Sequence, residues 1–379
     1  MSVVRHTCMM LLAVGLPTAL PAQNSVYGVQ GIGFPGRPLG VRARALGGGN
    51  AAFDPGSALN PATVAGFTGV AASLSMGTTF RSYTAGDSSV SGLQETRFPF
   101  AMVGSSLGTS PLAVALSSAP YLERTFDVQT SGTAVIRGES LTVVDRVVSD
   151  GGASDLRGAL AVRLGRSFLV GGAVHLISGS STLRVRREFS SSLYRTFAEQ
   201  SQLQFAGLGA SLGAVLRVSP GLQLGATARM DNRLDVTRDT TLLQTTDLPS
   251  SFAGGIRLIP VRGITLATTV AWRSWSNAAA DLGASVRAFD TWEVGTGVEI
   301  GGIDQGTTRI PVRLGLRYAQ LPFSARVTQG KEWTVAAGTG VPFVGGRVAF
   351  DVVLERALRD GAGAREEAWH FAVGVLVVP

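Results

Sequence analysis

Few residues in this chain could carry covalent chemistry. His175 and His370 are the only histidines beyond the first few residues. A lipid-active hydrolase would need a serine hydroxyl within hydrogen-bond reach of one of them, because a serine is nucleophilic only beside a general base. Gly104, Ser106 and Gly108 match GxSxG, but they fall at the end of an extended segment and not ahead of a helix. Gly31, Gly33 and Gly36 match GxGxxG, yet no strand precedes them and Pro35 spoils the helix start. Neither spacing supports a catalytic or dinucleotide site. No His, Cys, Asp and Glu cluster has zinc or EF-hand spacing, so neither a metal nor a cofactor is expected, and the protein does not read as an enzyme.

Charged residues on alternate positions carry more information. Arg309, Arg313 and Arg317 recur every fourth residue, on the face opposite Ile310, Val312, Leu314, Leu316 and Tyr318. Glu293 and Glu299 precede them on an adjacent extended segment, and opposite charges across neighbouring strands can pair. One outcome is a structural ladder in which buried charges satisfy each other. The other is an arginine left free to receive a ligand carboxylate, which its forked donors suit. Pro99 and Pro120 form a second constellation. A hairpin turning at Gly108–Pro111 would bring them opposite each other, where each removes a ladder donor. A local opening of the seam between the second and third strands, serving as a lateral gate, is the functional expectation; the alternative is that both prolines sit where the strands emerge beyond the bilayer.

The elements that must position these residues are β-strands. From about Gly66 onward, segments of ten or more residues alternate apolar and polar positions between turn residues. Leu208, Ala210, Leu212, Ala214, Leu216 and Val218 share one face, with Ser211 and Arg217 on the other; Val348, Phe350, Val352 and Leu354 oppose Arg347, Asp351 and Glu355. Sandwich strands are commonly about half this length. Strands of about 9 to 11 residues, apolar outward and polar inward, suit a closed transmembrane barrel. About six short turns and seven longer polar connections predict roughly 14 antiparallel strands. The longer connections are placed at Ser82–Gln94, Ser131–Asp150, Glu188–Glu199, Asp239–Asp247, Asn277–Arg287, Leu321–Gln329 and Leu358–Glu366, with Ala134–Val148 open to being an extracellular hairpin or a further pair element.

Composition agrees. Hydrophobic residues make up 45% and charged residues 16% of 379, where a soluble domain carries about 25% charge. Something apolar must therefore cover much of the surface. The net charge of +7 is scattered, which argues against a nucleic-acid partner. Residues 1–22 have a basic start, an apolar stretch from Met9 to Leu16 and a small-residue end, the layout of a secretory leader. The only cysteine, Cys8, lies inside it, so disulfide and thiolate chemistry are not expected in the mature chain.

Residues 23–65 differ, with many glycines and no alternation. The run GVRARALGGGNAAFDPGSALNPATVAGF spans Gly40 to Phe67. Its Gly47 and Gly48, the acidic Asp54, and Asn60, Pro61 and Ala62 just before the first strand resemble the N-terminal hatch of the FadL-type long-chain fatty acid and hydrocarbon transporter family. IPVRLGLRYAQLPF and EAWHFAVGVLVV, in the last third, are similar to segments of the same family. The resemblance implies an all-β, 14-strand outer-membrane barrel over residues 66–379, plugged by a hatch over residues 23–65. It also implies passive uptake of long-chain fatty acids or other hydrophobic compounds in a Gram-negative-type bacterium, with outer-membrane lipid as surroundings. Phe34, Phe53, Leu59 and Phe67 are the apolar ligand candidates, weighed against ordinary plug packing. A shuttle protein of type IX secretion shares the hatch motif, so an exported protein partner is the alternative.

Overall fold

The computed structural model describes residues 25–86, 88–283, 286–305, 308–343, 347–361 and 363–377. The leader at 1–22 and the side chain of Arg309 lie outside this set. Fourteen strands form one closed antiparallel barrel. In order they are β1 (Val70–Ala85), β2 (Ser88–Ser106), β3 (Leu112–Glu123, continuing as Phe126–Ile136), β4 (Glu139–Leu164), β5 (Phe168–Phe189), β6 (Phe197–Ser219) and β7 (Leu222–Arg238). There follow β8 (Thr241–Asp247, continuing as Ser250–Val261), β9 (Ile264–Arg273), β10 (Thr291–Gln305), β11 (Thr308–Gln320), β12 (Lys331–Phe343), β13 (Val348–Gly361) and β14 (Ala364–Val377). Pairing of Val377 with Ala72 through Ala364 with Ala85 closes the ring, leaving no sheet edge in lipid.

The alternation predicted from sequence is the alternation observed. Leu208, Leu212 and Leu216 are exposed on the outside while Ser211 between them is buried. Exposed leucines, valines and aromatics at every second position make the exterior an apolar band, which only a bilayer can solvate. On one half of the barrel that band ends in an aromatic girdle. Phe252 pairs with Trp272, Trp272 with Trp292, Tyr318 with Trp333, and Phe80 with Trp369. Such rings favour the membrane interface, one end apolar and the other wet.

The other half is taller. β4, β5 and β6 run for 26, 22 and 23 residues, far beyond the roughly 9 to 11 that span a bilayer. Leu156, Leu176 and Leu208 are the last exposed apolar residues of their bands, and Ser154, Ser178 and Gln204 face outward above them. This corrects the expected loops. Ser82–Gln94, Ser131–Asp150, Asp239–Asp247 and Leu358–Glu366 are strands extending past the membrane to tight turns, such as Arg137–Gly138 with φ 52° and 86°. A strand wetted on both faces loses its apolar alternation and reads as loop. Glu188–Glu199, Asn277–Arg287 and Leu321–Gln329 do contain irregular connections.

The segment from Ser25 to Gly69 lies against the inner wall and contains short helical turns at Val26–Val29, Val41–Ala45 and Pro61–Gly66. Its glycines let backbone meet backbone. Gly47 has φ +61°, a left-handed conformation that disfavours a side chain, and a Cβ added at Gly315 of β11 would lie 2.0 Å from the Gly47 nitrogen.

Candidate functional site

The inner wall of β9–β14, with β1 and β2, carries charges of alternating sign. Glu293 accepts from Arg273 at 3.1 Å and from Arg317 at 2.8 Å, and Arg317 also donates to Glu332. Arg313 lies 2.6 Å from Glu299 and 2.5 Å from Asp351. Arg359 joins Glu332 to Glu366, and Arg81 reaches Glu95 at 3.1 Å. Arg313 and Arg317 thus each hold two carboxylates.

The N-terminal segment is tied into this ladder. Arg37 and Arg44 both donate to Glu355 at 3.0 Å, and Arg42 donates to Glu299 at 2.7 and 3.0 Å. Burial pulls the Arg37 guanidinium down to about 10 against the pull of Glu355. Asp54 is buried, which raises its carboxyl above the ordinary range against the pull of Arg42, and it accepts from the Gly56 amide at 2.9 Å. Asn60 is fully buried. Its Nδ2 donates to the carbonyls of Ala52 and of Ala214 on β6, and its Oδ1 caps the turn begun by Pro61 by accepting from Ala62 N at 3.0 Å. Gly47, Gly48, Asp54, Asn60, Pro61 and Ala62 therefore shape and seat the segment.

The seam between β2 and β3 is interrupted. Their ladder runs from Ser106 paired with Ala113 to Ala101 paired with Ser118, and ends there. Two positions further along that register, beyond Phe100 and Ala119, lie Pro99 and Pro120. β2 is irregular against β1 between Ser75 and Gly77, and β3 against β4 between Pro120 and Leu122. Above the break, the N-terminal segment takes the place of β2: Phe34 pairs with Glu123, Pro35 with Leu122, and Gly36 N donates to Tyr121 O at 2.9 Å. Phe98 is 66% exposed on the outside beside the break. Two small cavities flank the inserted strand. One, of about 70 Å³, is lined by Pro35, Leu59, Pro120, Tyr121, Asp155 and Arg229; the other, of about 90 Å³, by Phe34, Pro99, Pro120, Glu95 and His370 among others.

Of the apolar candidates, Phe34 and Leu59 reach these cavities, with Phe34 also lying under the Arg359 guanidinium at 4.6 Å. Phe53 and Phe67 pack in the apolar cluster between segment and wall. Sequence reasoning missed a second apolar cluster, formed by Ile32, Leu122, Ile177, Leu203, Phe205, Leu234, Trp275 and Phe323. Leu203 and Phe205 share the strand parity of the inward Ser211, so apolar residues at inward positions were the available signal.

His175 is buried in the tall half. Its Nδ1 lies 2.9 Å from both oxygens of Asp155, and its Nε2 lies 2.9 Å from Ser211 Oγ. Asp155 also accepts from Arg229 at 2.6 Å, Arg229 donates to Asp231 at 2.8 Å, and Tyr121 OH donates to Asp231 at 2.8 Å. The serine hydroxyl required near a histidine is thus Ser211, contributed by a third strand. His370 instead bonds Thr79 Oγ1 at 2.8 Å.

No family model matches the chain, and no curated protein matches it either. Solved structures do. The Ralstonia pickettii toluene transporter TbuX aligns with TM-score 0.61 at 15% identity, covering 90% of this chain and 98% of its own. A Pseudomonas aeruginosa FadL homologue aligns with TM-score 0.61 at 12% identity, covering 91% and 99%. The CymD monoaromatic hydrocarbon channel aligns with TM-score 0.60 at 14% identity, covering 92% and 98%. With its closed 14-strand barrel, N-terminal segment packed on the inner wall and apolar belt, the chain has the fold of the FadL-type outer-membrane channels.

Proposed function

We propose that this protein sits in the bacterial outer membrane and takes up hydrophobic compounds passively, releasing them sideways into the bilayer at the β2–β3 seam. The observation that carries this reading is the ladder that stops at Ala101 and Ser118, two positions short of Pro99 and Pro120, and is closed above by Phe34–Gly36 in place of a wall strand. Among the described residues, these two residues of borrowed ladder are the shortest pairing in the wall. An apolar compound leaving there avoids the aqueous periplasm. The Ile32, Phe205 and Trp275 cluster supplies an apolar station above the seam, and Phe34, Leu59, Phe53 and Phe67 line or support the way down.

Small neutral compounds fit better than long-chain fatty acids. Arg313 and Arg317 are engaged by acidic partners on two sides, and the cavities of 70 and 90 Å³ suit a small molecule. The solved relatives are named as toluene transporters and monoaromatic hydrocarbon channels. The test is uptake of radiolabelled toluene and of palmitate by cells carrying the wild type or Pro99→Val/Pro120→Val. Toluene uptake several-fold lower in the variant is expected. Undiminished toluene uptake would remove the seam as the exit, and faster palmitate than toluene uptake by the wild type would reverse the substrate preference.

A further inference from the structure

One cluster in the wall stands apart from the ladder that ties down the N-terminal segment. Asp155 on β4, His175 on β5 and Ser211 on β6 stand in the order orienter, base, nucleophile. Asp155 accepts the Nδ1 proton, which leaves the Nε2 lone pair facing the Ser211 hydroxyl at 2.9 Å. All three side chains are buried, so the arrangement is held by the strands and not by solvent.

Two guanidinium groups frame the serine and histidine. Arg229 is the register partner of Ser211 across β6 and β7, and Arg157 is the register partner of His175 across β4 and β5. Arg229 Nη2 and Arg157 Nε and Nη2 are buried with no hydrogen-bond partner among the described residues. Such donors are also left over elsewhere in the wall, on Arg163 and Arg257, but at Arg157 and Arg229 they stand beside the histidine and the serine. Donors held ready without an acceptor are what a developing oxyanion requires. The Ser211 backbone is already paired with β5 and β7, so here the guanidinium groups take the place of free amides. The cavity of about 70 Å³ is lined by Asp155, Thr227 and Arg229 and not by Ser211 or His175, so a substrate meets the serine only after these side chains shift.

We propose that Ser211 is an activated nucleophile and that the lumen hydrolyses esters with a short acyl group. Ser211 Oγ attacks the ester carbonyl carbon and its proton passes to His175 Nε2. The carbonyl oxygen becomes an oxyanion held by the free N–H donors of Arg229 and Arg157. The carbon–oxygen bond to the alcohol then breaks, and His175 returns the proton to the leaving alkoxide. Water, deprotonated by His175, attacks the acyl-serine and releases the carboxylic acid. The acyl group must be short, because the cavity, about 70 Å³, is far below the roughly 300–1,000 Å³ of sites that take drug-sized ligands.

The test uses the full-length barrel purified and folded in detergent. Methanesulfonyl fluoride should sulfonylate Ser211, located by peptide mass spectrometry, and p-nitrophenyl acetate should be cleaved above the heat-unfolded control. Ser211→Ala and His175→Gln should slow cleavage by about 10²- to 10⁴-fold. Absence of a Ser211 adduct in the folded wild type, or cleavage unchanged in Ser211→Ala, would overturn the proposal. The adduct is read on the wild type, so a variant that fails to fold does not obstruct the test.

Discussion

The two halves of the barrel solve the burial of charge differently. From β9 round to β2 the inner wall is a ladder in which arginines and carboxylates alternate, and the N-terminal segment is locked into it through Arg37, Arg42 and Arg44. From β3 to β8 the wall carries the interrupted seam and, in Arg157 and Arg229, guanidinium groups set beside a histidine and a serine. The first half anchors and the second can act. Beside β3 the segment is held by two strand pairs, one hydrogen bond from the Gly36 amide and the apolar cluster that Ile32 shares with Leu122.

The sharpest way to break this contrast is to remove the clamp. Glu355→Ala leaves Arg37 and Arg44 without their shared acceptor at a position only 2% exposed. Breaking a buried pair from one side costs about 3–5 kcal/mol, so the unfolding midpoint in urea should fall sharply and conductance through planar bilayers should rise. A stability change no larger than that of a surface substitution would mean the segment is not held there.

Next in size is the glycine seat. Gly315→Val puts side-chain atoms where the Gly47 backbone lies, 2.0 Å from the first added carbon. Overpacking of this kind costs about 1–3 kcal/mol, and the segment should be pushed off β11 while the barrel still closes. Protease sensitivity of the N-terminal segment in the folded barrel checks it. Unchanged protection would show that the seat tolerates a side chain and that the anchored half is looser than its ion pairs imply.

How much of this was legible in the sequence follows from the same division. Arg313 and Arg317 opposite an apolar stripe, with Glu293 and Glu299 one strand earlier, announced the ladder because cross-strand pairing needs only adjacent strands and an alternation of period two. Pro99 and Pro120 could be aligned because the turn between them is short and sets the register. The Asp155, His175 and Ser211 cluster could not, since it joins three strands over sequence separations of 20 and 36 residues. Its register depends on two turns whose lengths must both be right, and a one-residue error in either turns a side chain to the lipid face. The ligand candidates Phe34, Phe53, Leu59 and Phe67 were chosen in a segment without periodicity, where no pattern separates a cavity lining from plug packing.

The smallest expected effect is also the control for the largest. Arg356 pairs with Glu367 at 2.9 Å, but both side chains are 45% exposed, on the outer face where Arg356 also lies 5.0 Å over the Trp369 ring. Exposed pairs contribute about 0–1 kcal/mol because water and salt screen them and ordering two long side chains costs entropy. Glu367→Ala should therefore shift the urea midpoint by a small fraction of the Glu355→Ala shift and leave conductance alone. Both substitutions delete one carboxylate from β13 or its neighbour β14, so they differ chiefly in burial and in the number of guanidinium groups abandoned. A Glu367→Ala loss comparable to that of Glu355→Ala would mean that the outer girdle, and not the clamp inside, holds this half together.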